Sequence, residues 1–250
     1  MKNKLVIGLV VLVIVIVCYA FRYEFLLKIQ YSSIKSIKCP GKENCQKKLW
    51  VHRVNSIERY KYLENKFSGF ETDIVFNNNS GKFLVYHPTI AQKDTITLDS
   101  FLVNANLTAK RFWMDTRGVD SSNANESLES LANLPSPSRI KSACIFELYD
   151  VKAAEMFAKK GYTVSLNLFE DLKRQLLSGK MAIDSLNKKL AMVKYVSQES
   201  DQQKVLQALF PRKKSIIWHL RYMDTFQTDT IEKLLMNPQI DIILINVKTP

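Results

Sequence analysis

Residues 50–88 read WVHRVNSIERYKYLENKFSGFETDIVFNNNSGKFLVYHP, and this stretch contains two of the three histidines of the protein, His52 and His87. Between the histidines lie two acidic residues, Glu71 and Asp73, in a run with the composition of a strand. Alternate residues of a strand point to the same face, so the two carboxylates point together. Carboxylates on one face repel each other unless a cation lies between them, and oxygen ligands suit a divalent cation. The stretch therefore predicts a metal site between two histidines.

Both histidines lie where a short apolar strand becomes a loop. His52 ends the run Leu49–Val51, and His87 ends the run 83–86, which Pro88 terminates. In a barrel of alternating strands and helices, the catalytic groups lie at such strand ends. Either histidine alone would more often be a surface or core residue. Two histidines beside paired carboxylates favour a functional site.

The rest of the chain alternates between strand-like and helix-like segments. Strands are predicted at 49–54, 70–76, 111–117, 143–148, 162–168, 190–196, 215–221 and 240–247, with an additional strand at 83–86. Helices are predicted at 57–67, 97–106, 126–134, 151–160, 170–189, 202–210 and 230–236, with a loop at 135–138. Such alternation indicates a parallel sheet, and eight strands favour closure. The predicted fold class is α/β, a (β/α)8 TIM barrel that spans residues 48–250.

The composition limits the classes of partner. The chain has 250 residues and a formal net charge of +12, which favours nucleic acid, anionic lipid or phosphate esters as partners. A solvated basic surface is the alternative explanation. The sequence has no zinc-finger spacing, RNA-binding signature or long arginine run, so we do not expect nucleic acid as a partner.

The N-terminal segment predicts a membrane anchor. Residues 5–21 form an uninterrupted apolar run preceded by Lys2 and Lys4. Its length is close to the lower limit for a spanning helix, about 17–25 residues. A cleaved signal peptide is the competing interpretation. We expect an uncleaved single-pass transmembrane helix at 1–21, a juxtamembrane linker at 22–47, and a catalytic domain outside the cytoplasm.

Two of the four cysteines predict a small disulfide loop. Cys39 and Cys45 bracket the turn-rich segment PGKEN, which can bring them together. In an oxidising compartment a disulfide between them is expected. A metal site is the alternative, but no second pair of cysteines or histidines accompanies it.

Polar residues also lie at the ends of the later predicted strands. Asp115 and Arg117 end the third barrel strand, Glu147 the fourth, Trp218 the seventh and Asn246 the eighth. In a barrel these ends converge on one mouth, which brings Asp115 close to Glu71 and Asp73. Three carboxylates and water suit Mg²⁺ or Ca²⁺ better than zinc. Glu147 could equally form only a salt bridge or a cap.

Four motifs contain the polar residues of the predicted site: His52-Arg53-Val54-Asn55-Ser56, Phe70-Glu71-Thr72-Asp73-Ile74, Tyr86-His87-Pro88 and Met114-Asp115-Thr116-Arg117. With weaker matches at Trp218 and Leu244-Ile245-Asn246, these motifs resemble the phospholipase C-like phosphodiesterase superfamily, in particular its glycerophosphodiester phosphodiesterase, sphingomyelinase D-like and menorin-type branches. The sequence departs from the glycerophosphodiester branch because no Pro-Glu-Asn-Thr follows His52-Arg53. Asp115 also stands where that branch commonly has Glu, and Arg117 where Lys is usual. These departures leave the substrate open.

The resemblance implies a role for each site residue. Glu71, Asp73 and Asp115 would bind one divalent cation, Mg²⁺ or Ca²⁺. His52 would be the general base or nucleophile and His87 the general acid. The substrate would be contacted by Arg53, Arg117, Trp218 and Asn246. The implied activity is hydrolysis of a glycerophosphodiester or phospholipid headgroup ester at a membrane, and the alternative is an inactive barrel that serves as an anchored binding module.

Overall fold

The computed structural model describes most of the chain from residue 45 onward. The described residues are 45–89, 95–168, 174–176, 178–179, 182–222 and 228–249, together with 22, 25–29, 31–32 and 37. The strands are β1 Leu49–Val51, β2 Gly69–Asn77, β3 Lys82–Val85, β4 Ile96–Thr97, β5 Arg111–Arg117, β6 Cys144–Leu148, β7 Thr163–Asn167, β8 Tyr195–Glu199, β9 Lys214–Tyr222 and β10 Ile240–Asn246. The α-helices are α1 Ile57–Leu63, α2 Leu98–Asn104, α3 Ala124–Ala132, α4 Pro137–Ala143, α5 Val151–Lys159, α6 Ile183–Lys189, α7 Gln203–Leu209 and α8 Thr228–Met236. Short 3₁₀ turns lie at Cys45–Lys48 and Ser200–Gln202.

Eight parallel strands close into a barrel. The order is β1-β10-β9-β8-β7-β6-β5-β2, and β1 also pairs with β2 to complete the ring. Two short strands lie outside this ring. β3 pairs antiparallel with residues 74–77 of β2, and β4 pairs antiparallel with β3. The predicted (β/α)8 TIM barrel is therefore confirmed, and the carboxyl ends of its strands share one mouth.

The strands are buried on both faces, as expected for a parallel sheet covered by helices. Inside the barrel, a cluster of large side chains fills the lumen: Trp50, Trp113, Ile145, Tyr195, Ile216, Ile242 and Leu244. The opposite strand faces pack against the helices in a second, larger apolar layer, to which Ile74 and Phe76 of β2 belong. This two-layer burial fixes which side chains of β2 point inward, so Glu71 and Asp73 emerge at the inner face above the packed lumen.

Two of the helices that follow barrel strands, α1 and α5, begin with a side-chain N-cap at the mouth of the barrel. Ser56 is the N-cap of α1, and its hydroxyl accepts a hydrogen bond of 3.1 Å from the backbone N–H of Arg59. Asp150 caps α5 in the same way, with 2.7 Å between its carboxylate and the N–H of Ala153. Only five residues separate β1 from α1, so His52 and Arg53 are held close to the barrel rim.

Three predicted elements need correction. The sixth barrel strand is Tyr195–Glu199 and not 190–196, because Leu190 still caps α6. The predicted loop at 135–138 runs into helix α4, where Pro137 occupies a first-turn position that needs no N–H donor. Within the helix predicted at 170–189, residues 174–176 are helical, Gly179 interrupts helical geometry with a φ of +71°, and α6 begins at Ile183. Residues 169–173, 177 and 180–181 lie outside the described residues.

The N-terminal predictions fall mainly outside the described part of the chain. The apolar run at 5–21 is among the residues that the structure does not describe, and no helix in the described ranges has the length and apolarity needed to cross a membrane. Cys45 is disulfide-bonded, but its predicted partner Cys39 lies outside the described residues. The anchor, the linker, the domain boundaries and the identity of the disulfide pair stay predictions.

Candidate active site

Three carboxylates converge at the mouth of the barrel. Asp73 on β2 pairs in register with Asp115 on β5, and Glu71 lies two residues before Asp73 on the same strand face. Ligand atoms of the three side chains lie within 4.8 Å of one another, and all three residues are buried. The structure therefore brings together the three residues predicted as metal ligands.

The protonation of this acid cluster shows why it suits a cation. Burial, followed by the charges of Asp73 and Asp115, raises the pKa of Glu71 well above its usual range. Burial and then the charge of Asp115 raise the pKa of Asp73 to about 6, although a hydrogen bond from Asn55 opposes this shift. A bound divalent cation would remove the repulsion, and the all-oxygen donor set fits Mg²⁺ or Ca²⁺.

His52 lies beside Glu71 of the acid cluster. Its Nδ1 is 2.7 Å from Oδ1 of Asn246 at the end of β10, and its Nε2 is 3.9 Å from Oε2 of Glu71. An amide oxygen only accepts, so Nδ1 carries the proton and Nε2 has a free lone pair. Burial lowers the pKa of His52 to about 4, while the bond to Asn246 opposes this shift. His52 is therefore an uncharged base at neutral pH.

His87 lies beside Asp73 of the acid cluster. Its Nε2 is 3.9 Å from Oδ1 of Asp73 and accepts a hydrogen bond of 3.0 Å from Nη2 of Arg53. Its Nδ1 is 2.7 Å from the hydroxyl oxygen of Thr89. Burial, followed by the charges of Arg53 and Arg117, lowers the pKa of His87. The two histidines thus lie beside different carboxylates of the cluster.

Arg53 reaches the site because the strand has already ended. A residue that follows His52 in a continuing strand would point away from it, but β1 ends at Val51 and Arg53 has a φ of +58°. Its backbone N–H donates to Oε2 of Glu71 at 2.5 Å, and its side chain extends to His87. A single left-handed residue therefore contributes both a backbone donor and a guanidinium group to the site.

Asp115 is held by Arg117 and by Tyr149, a residue that was not predicted to belong to the site. Arg117 donates from Nη2 to Oδ2 at 2.7 Å, and the Tyr149 hydroxyl donates to Oδ1 at 2.8 Å. The guanidinium of Arg117 also stacks on the Tyr149 ring, 4.3 Å from its centroid. Tyr149 lies two residues after Glu147, so the two-residue period of a strand could have indicated that it also faces the mouth.

Trp218 and Glu147 complete the wall and floor of the cavity. Trp218 packs against Trp113 with ring centroids 6.2 Å apart. Glu147 is buried and accepts hydrogen bonds from the Ser197 hydroxyl and, at 3.2 Å, from the Asn167 amide. Burial, followed by the charge of Asp115, raises the pKa of Glu147. These contacts support an internal polar network beneath the acid cluster.

The predicted site residues meet in one cavity of about 150 Å³. Its lining includes eight of the nine residues predicted for catalysis, metal or substrate: His52, Arg53, Glu71, Asp73, His87, Asp115, Arg117 and Trp218. Asn246 lies behind His52 and contacts it directly. His219 is not part of this lining; its Nδ1 lies 3.2 Å from the Ser200 hydroxyl. A site with clustered carboxylates, two arginines and two uncharged imidazoles can bind a cation and an anion together and move protons between them.

Comparisons with known proteins identify the fold. No family model matches the sequence, and no curated protein matches it. Among solved structures, a glycerophosphodiester phosphodiesterase from Parabacteroides distasonis has a TM-score of 0.60 at 14% identity, over 80% of this chain and 93% of that chain. A phosphodiesterase from Oleispira antarctica, in complex with its product sn-glycerol-3-phosphate, has a TM-score of 0.53 at 9% identity, over 79% of this chain and 92% of that chain. The chain therefore has the fold of the glycerophosphodiester phosphodiesterases, as the resemblance to the phospholipase C-like superfamily implied.

Proposed function

We propose that this protein is a membrane-anchored, divalent-cation-dependent phosphodiesterase that cleaves glycerophosphodiesters or phospholipid headgroup esters. The observation that carries the proposal is that His52 and His87 lie beside different members of the buried carboxylate cluster of Glu71, Asp73 and Asp115. A phosphodiester is an anion whose cleavage requires proton transfer at one oxygen and charge stabilisation at others. This cavity contains groups for both tasks.

Glu71, Asp73 and Asp115 would hold the cation, Mg²⁺ or Ca²⁺. When bound, the cation would supply positive charge for the phosphoryl oxygens. Arg53 and Arg117, at the same cavity, suit contacts with a phosphate because a guanidinium presents planar paired donors. Together they would favour the additional negative charge that develops in the transition state.

His52 is suited to act as the general base or nucleophile. Its Nε2 has the free lone pair, and Asn246 holds the proton on Nδ1. His87 is suited to act as the general acid that protonates the leaving oxygen. The negative charge of a bound diester would offset Arg53 and Arg117, the two charges that lower the pKa of His87, and would favour its protonated form.

The proposed location rests on the N-terminal segment and on Cys45. Residues 5–21 have the length and apolarity of a single-pass anchor, and Lys2 and Lys4 favour a cytoplasmic N-terminus. Cys45 is disulfide-bonded, and disulfides persist in oxidising compartments. Both observations support a barrel outside the cytoplasm, next to a lipid surface. Protease protection of the full chain in intact and permeabilised cells would test this orientation.

The activity is tested with glycerophosphoinositol as the substrate in the presence of Mg²⁺ or Ca²⁺. We expect wild-type protein to release glycerol phosphate, and His52→Ala and His87→Ala each to lose about 10²–10⁴-fold in rate, the usual contribution of acid–base catalysis. His219→Asn is the matched control, since His219 does not line the cavity. Full activity in both alanine variants would reject the mechanism. A folded wild-type protein that neither binds cations nor cleaves diesters would instead indicate the inactive binding module.

A further inference from the structure

Tyr149 contacts two of the predicted site residues with two different parts of its side chain. Its hydroxyl donates to Oδ1 of Asp115 at 2.8 Å, and its ring stacks on the guanidinium of Arg117, with 4.3 Å between Cζ and the ring centroid. Asp115 and Arg117 line the candidate active-site cavity, whereas Tyr149 is not among its described lining residues. Any effect of Tyr149 on the chemistry would therefore act through these two neighbours.

The backbone is fixed on both sides of Tyr149. Strand β6 ends directly before it and pairs in parallel with β5, the strand that carries Asp115. The residue after it, Asp150, is the N-cap of α5 and accepts a hydrogen bond of 2.7 Å from the N–H of Ala153. A strand end and a helix cap therefore fix the point from which the Tyr149 side chain reaches Asp115.

The hydroxyl of Tyr149 helps to fix the orientation of the Asp115 carboxylate. Tyr149 donates to Oδ1 and Arg117 donates to Oδ2 at 2.7 Å, so each carboxylate oxygen has one donor. A carboxylate oxygen has two lone pairs, and each oxygen of Asp115 therefore keeps one for a cation. Hydrogen bonds of this kind orient the side chains that bind a metal, and their loss typically costs about 10–100-fold in metal affinity or activity.

The ring of Tyr149 supports Arg117 independently of Asp115. Attraction between a guanidinium and the face of an aromatic ring uses no N–H group of the guanidinium. The Nε of Arg117 is buried and has no hydrogen-bond partner in the part of the chain that the structure describes. A phosphate could therefore accept from the N–H groups in the plane of the guanidinium while the ring keeps this group at the cavity.

We propose that Tyr149 is a positioning residue with two separate tasks: its hydroxyl orients Asp115 for the divalent cation, and its ring orients Arg117 for the phosphate of the substrate. The inference rests on the proposed function, in which Asp115 binds the cation and Arg117 contacts the phosphate. It adds a residue to that site. It also predicts that the two tasks can be separated, because phenylalanine at position 149 keeps the ring and lacks only the hydroxyl.

The test measures, by calorimetry on the full chain, the binding of Mg²⁺ and Ca²⁺ and then, with the tighter-binding cation at saturation, the binding of sn-glycerol 3-phosphate. Tyr149→Phe and Tyr149→Leu should each weaken cation binding about tenfold, because both lack the hydroxyl. Only Tyr149→Leu should weaken the binding of sn-glycerol 3-phosphate, about fivefold, because it also lacks the ring. A purely structural role of Tyr149 would weaken the binding of both ligands in the same variant.

Tyr162→Phe is the matched control. Tyr162 is a buried tyrosine whose hydroxyl makes no hydrogen bond to any described residue, and it is not among the described residues that line the cavity. Loss of this hydroxyl should leave both affinities unchanged. The midpoint of denaturant unfolding shows whether each variant is folded, and Tyr149→Phe alone decides the role of the hydroxyl if Tyr149→Leu does not fold.

Cation affinity in Tyr149→Phe equal to that of the wild type would overturn the inference. An equal loss of affinity for sn-glycerol 3-phosphate in Tyr149→Phe and Tyr149→Leu would also overturn it, because the ring would then have no task of its own. A folded wild-type chain that binds neither cation would reject both the inference and the proposed function. The expected affinities in a chain that hydrolyses no diester would reject the proposed activity alone.

Discussion

At the scale of single residues, the two histidines of the site are oriented by different neighbouring side chains. The amide oxygen of Asn246 holds the Nδ1 proton of His52, and the guanidinium of Arg53 occupies Nε2 of His87. The first contact leaves His52 with its basic nitrogen toward the acid cluster. The second contact could be replaced when the guanidinium of Arg53 binds a substrate phosphate instead. Nε2 of His87 would then be available to carry and donate a proton. The different roles of the two histidines thus follow from their different partners.

Substitution of Asn246 by Asp should move the pH dependence of hydrolysis. The pKa of His52 is about 4, chiefly because of burial. A carboxylate beside Nδ1 would favour the protonated imidazole and raise this pKa, so the base would become protonated at a higher pH. We expect the acid limb of the profile of kcat/KM against pH to move to higher pH in Asn246→Asp.

Asn246→Ala is the control for this prediction. In the wild type the hydrogen bond to Asn246 raises the pKa of His52. Asn246→Ala removes this bond, so the acid limb of the profile should not move to higher pH. The rate should fall across the whole pH range because the ring is no longer oriented. An acid limb that stays in place in Asn246→Asp would show that His52 is not the base.

The sequence predicted the residue types of the site better than the directions of their side chains. Alternation along β2 correctly placed Glu71 and Asp73 together, because strand geometry has a fixed period. The side chain of Arg53 contacts His87 because Arg53 itself has a left-handed backbone conformation. The alternation of residues along a strand does not predict such a conformation. Asn246 is predicted as a substrate ligand, and the structure places its amide against His52. Such a contact joins residues far apart in sequence and depends on closure of the barrel.

At the scale of elements, the three-residue strand β1 closes the barrel between β10 and β2. Its Trp50 lies in the lumen cluster, where its indole covers the first residue of β2, Gly69. A side chain at position 69 would enter the volume of the indole ring. The absence of a side chain at Gly69 therefore lets the shortest strand of the barrel contribute its largest residue to the lumen.

Gly69→Ala should destabilise the protein. The added methyl group would clash with the indole of Trp50, and overpacking of this kind costs about 1–3 kcal/mol in the free energy of unfolding. We expect a lower midpoint in denaturant unfolding. The same substitution in a Trp50→Phe background should cost less, because the smaller ring leaves room for the methyl group. Equal costs in the two backgrounds would contradict the proposed contact.

Element boundaries were predictable where caps or glycines mark them and less so elsewhere. The helix predicted at 57–67 begins at residue 57 as expected, directly after its N-cap Ser56, and ends at Leu63. The paired prolines at 135 and 137 indicate a loop, yet α4 begins at Pro137 because the first turn of a helix tolerates proline. The start of β8 was predicted five residues too early, because residues 190–194 are apolar enough to resemble a strand. In the structure Leu190 is instead the buried C-cap residue of α6.

At the scale of the whole molecule, the barrel concentrates buried carboxylates in a chain whose net charge is +12. The raised pKa values of Glu71 and Asp73 mean that the metal-free folded state holds protons that the unfolded state has already released. Stability of the metal-free protein from this source therefore falls as the pH rises through about 6, the pKa of Asp73. Burial lowers the pKa of His52 from 6.5 to about 4. The contribution of His52 to the free energy of unfolding therefore changes in the opposite direction with pH, and it is lost as the pH falls below 6.5.

Mg²⁺ or Ca²⁺ should stabilise the protein more at pH 7.5 than at pH 5.5. The cation needs carboxylates without protons, and protons compete for Glu71 and Asp73 at low pH. Saturation at about 100 times Kd adds about 2.7 kcal/mol to the free energy of unfolding. We expect a clear rise in Tm with the cation at pH 7.5, a smaller one at pH 5.5, and loss of the rise when EDTA is added.

Asp73→Asn separates this effect from nonspecific ion binding. The amide keeps the size of the side chain but removes one of three charges, so the cation-induced rise in Tm should largely disappear at both pH values. Without added cation, the variant should be at least as stable as the wild type at pH 7.5, because one buried repulsion is gone. A rise in Tm that is equal at both pH values, or that survives in Asp73→Asn, would place the bound cation elsewhere. The acid cluster would then be an internal polar network without a metal, and the site would lack the positive charge that phosphodiester cleavage requires.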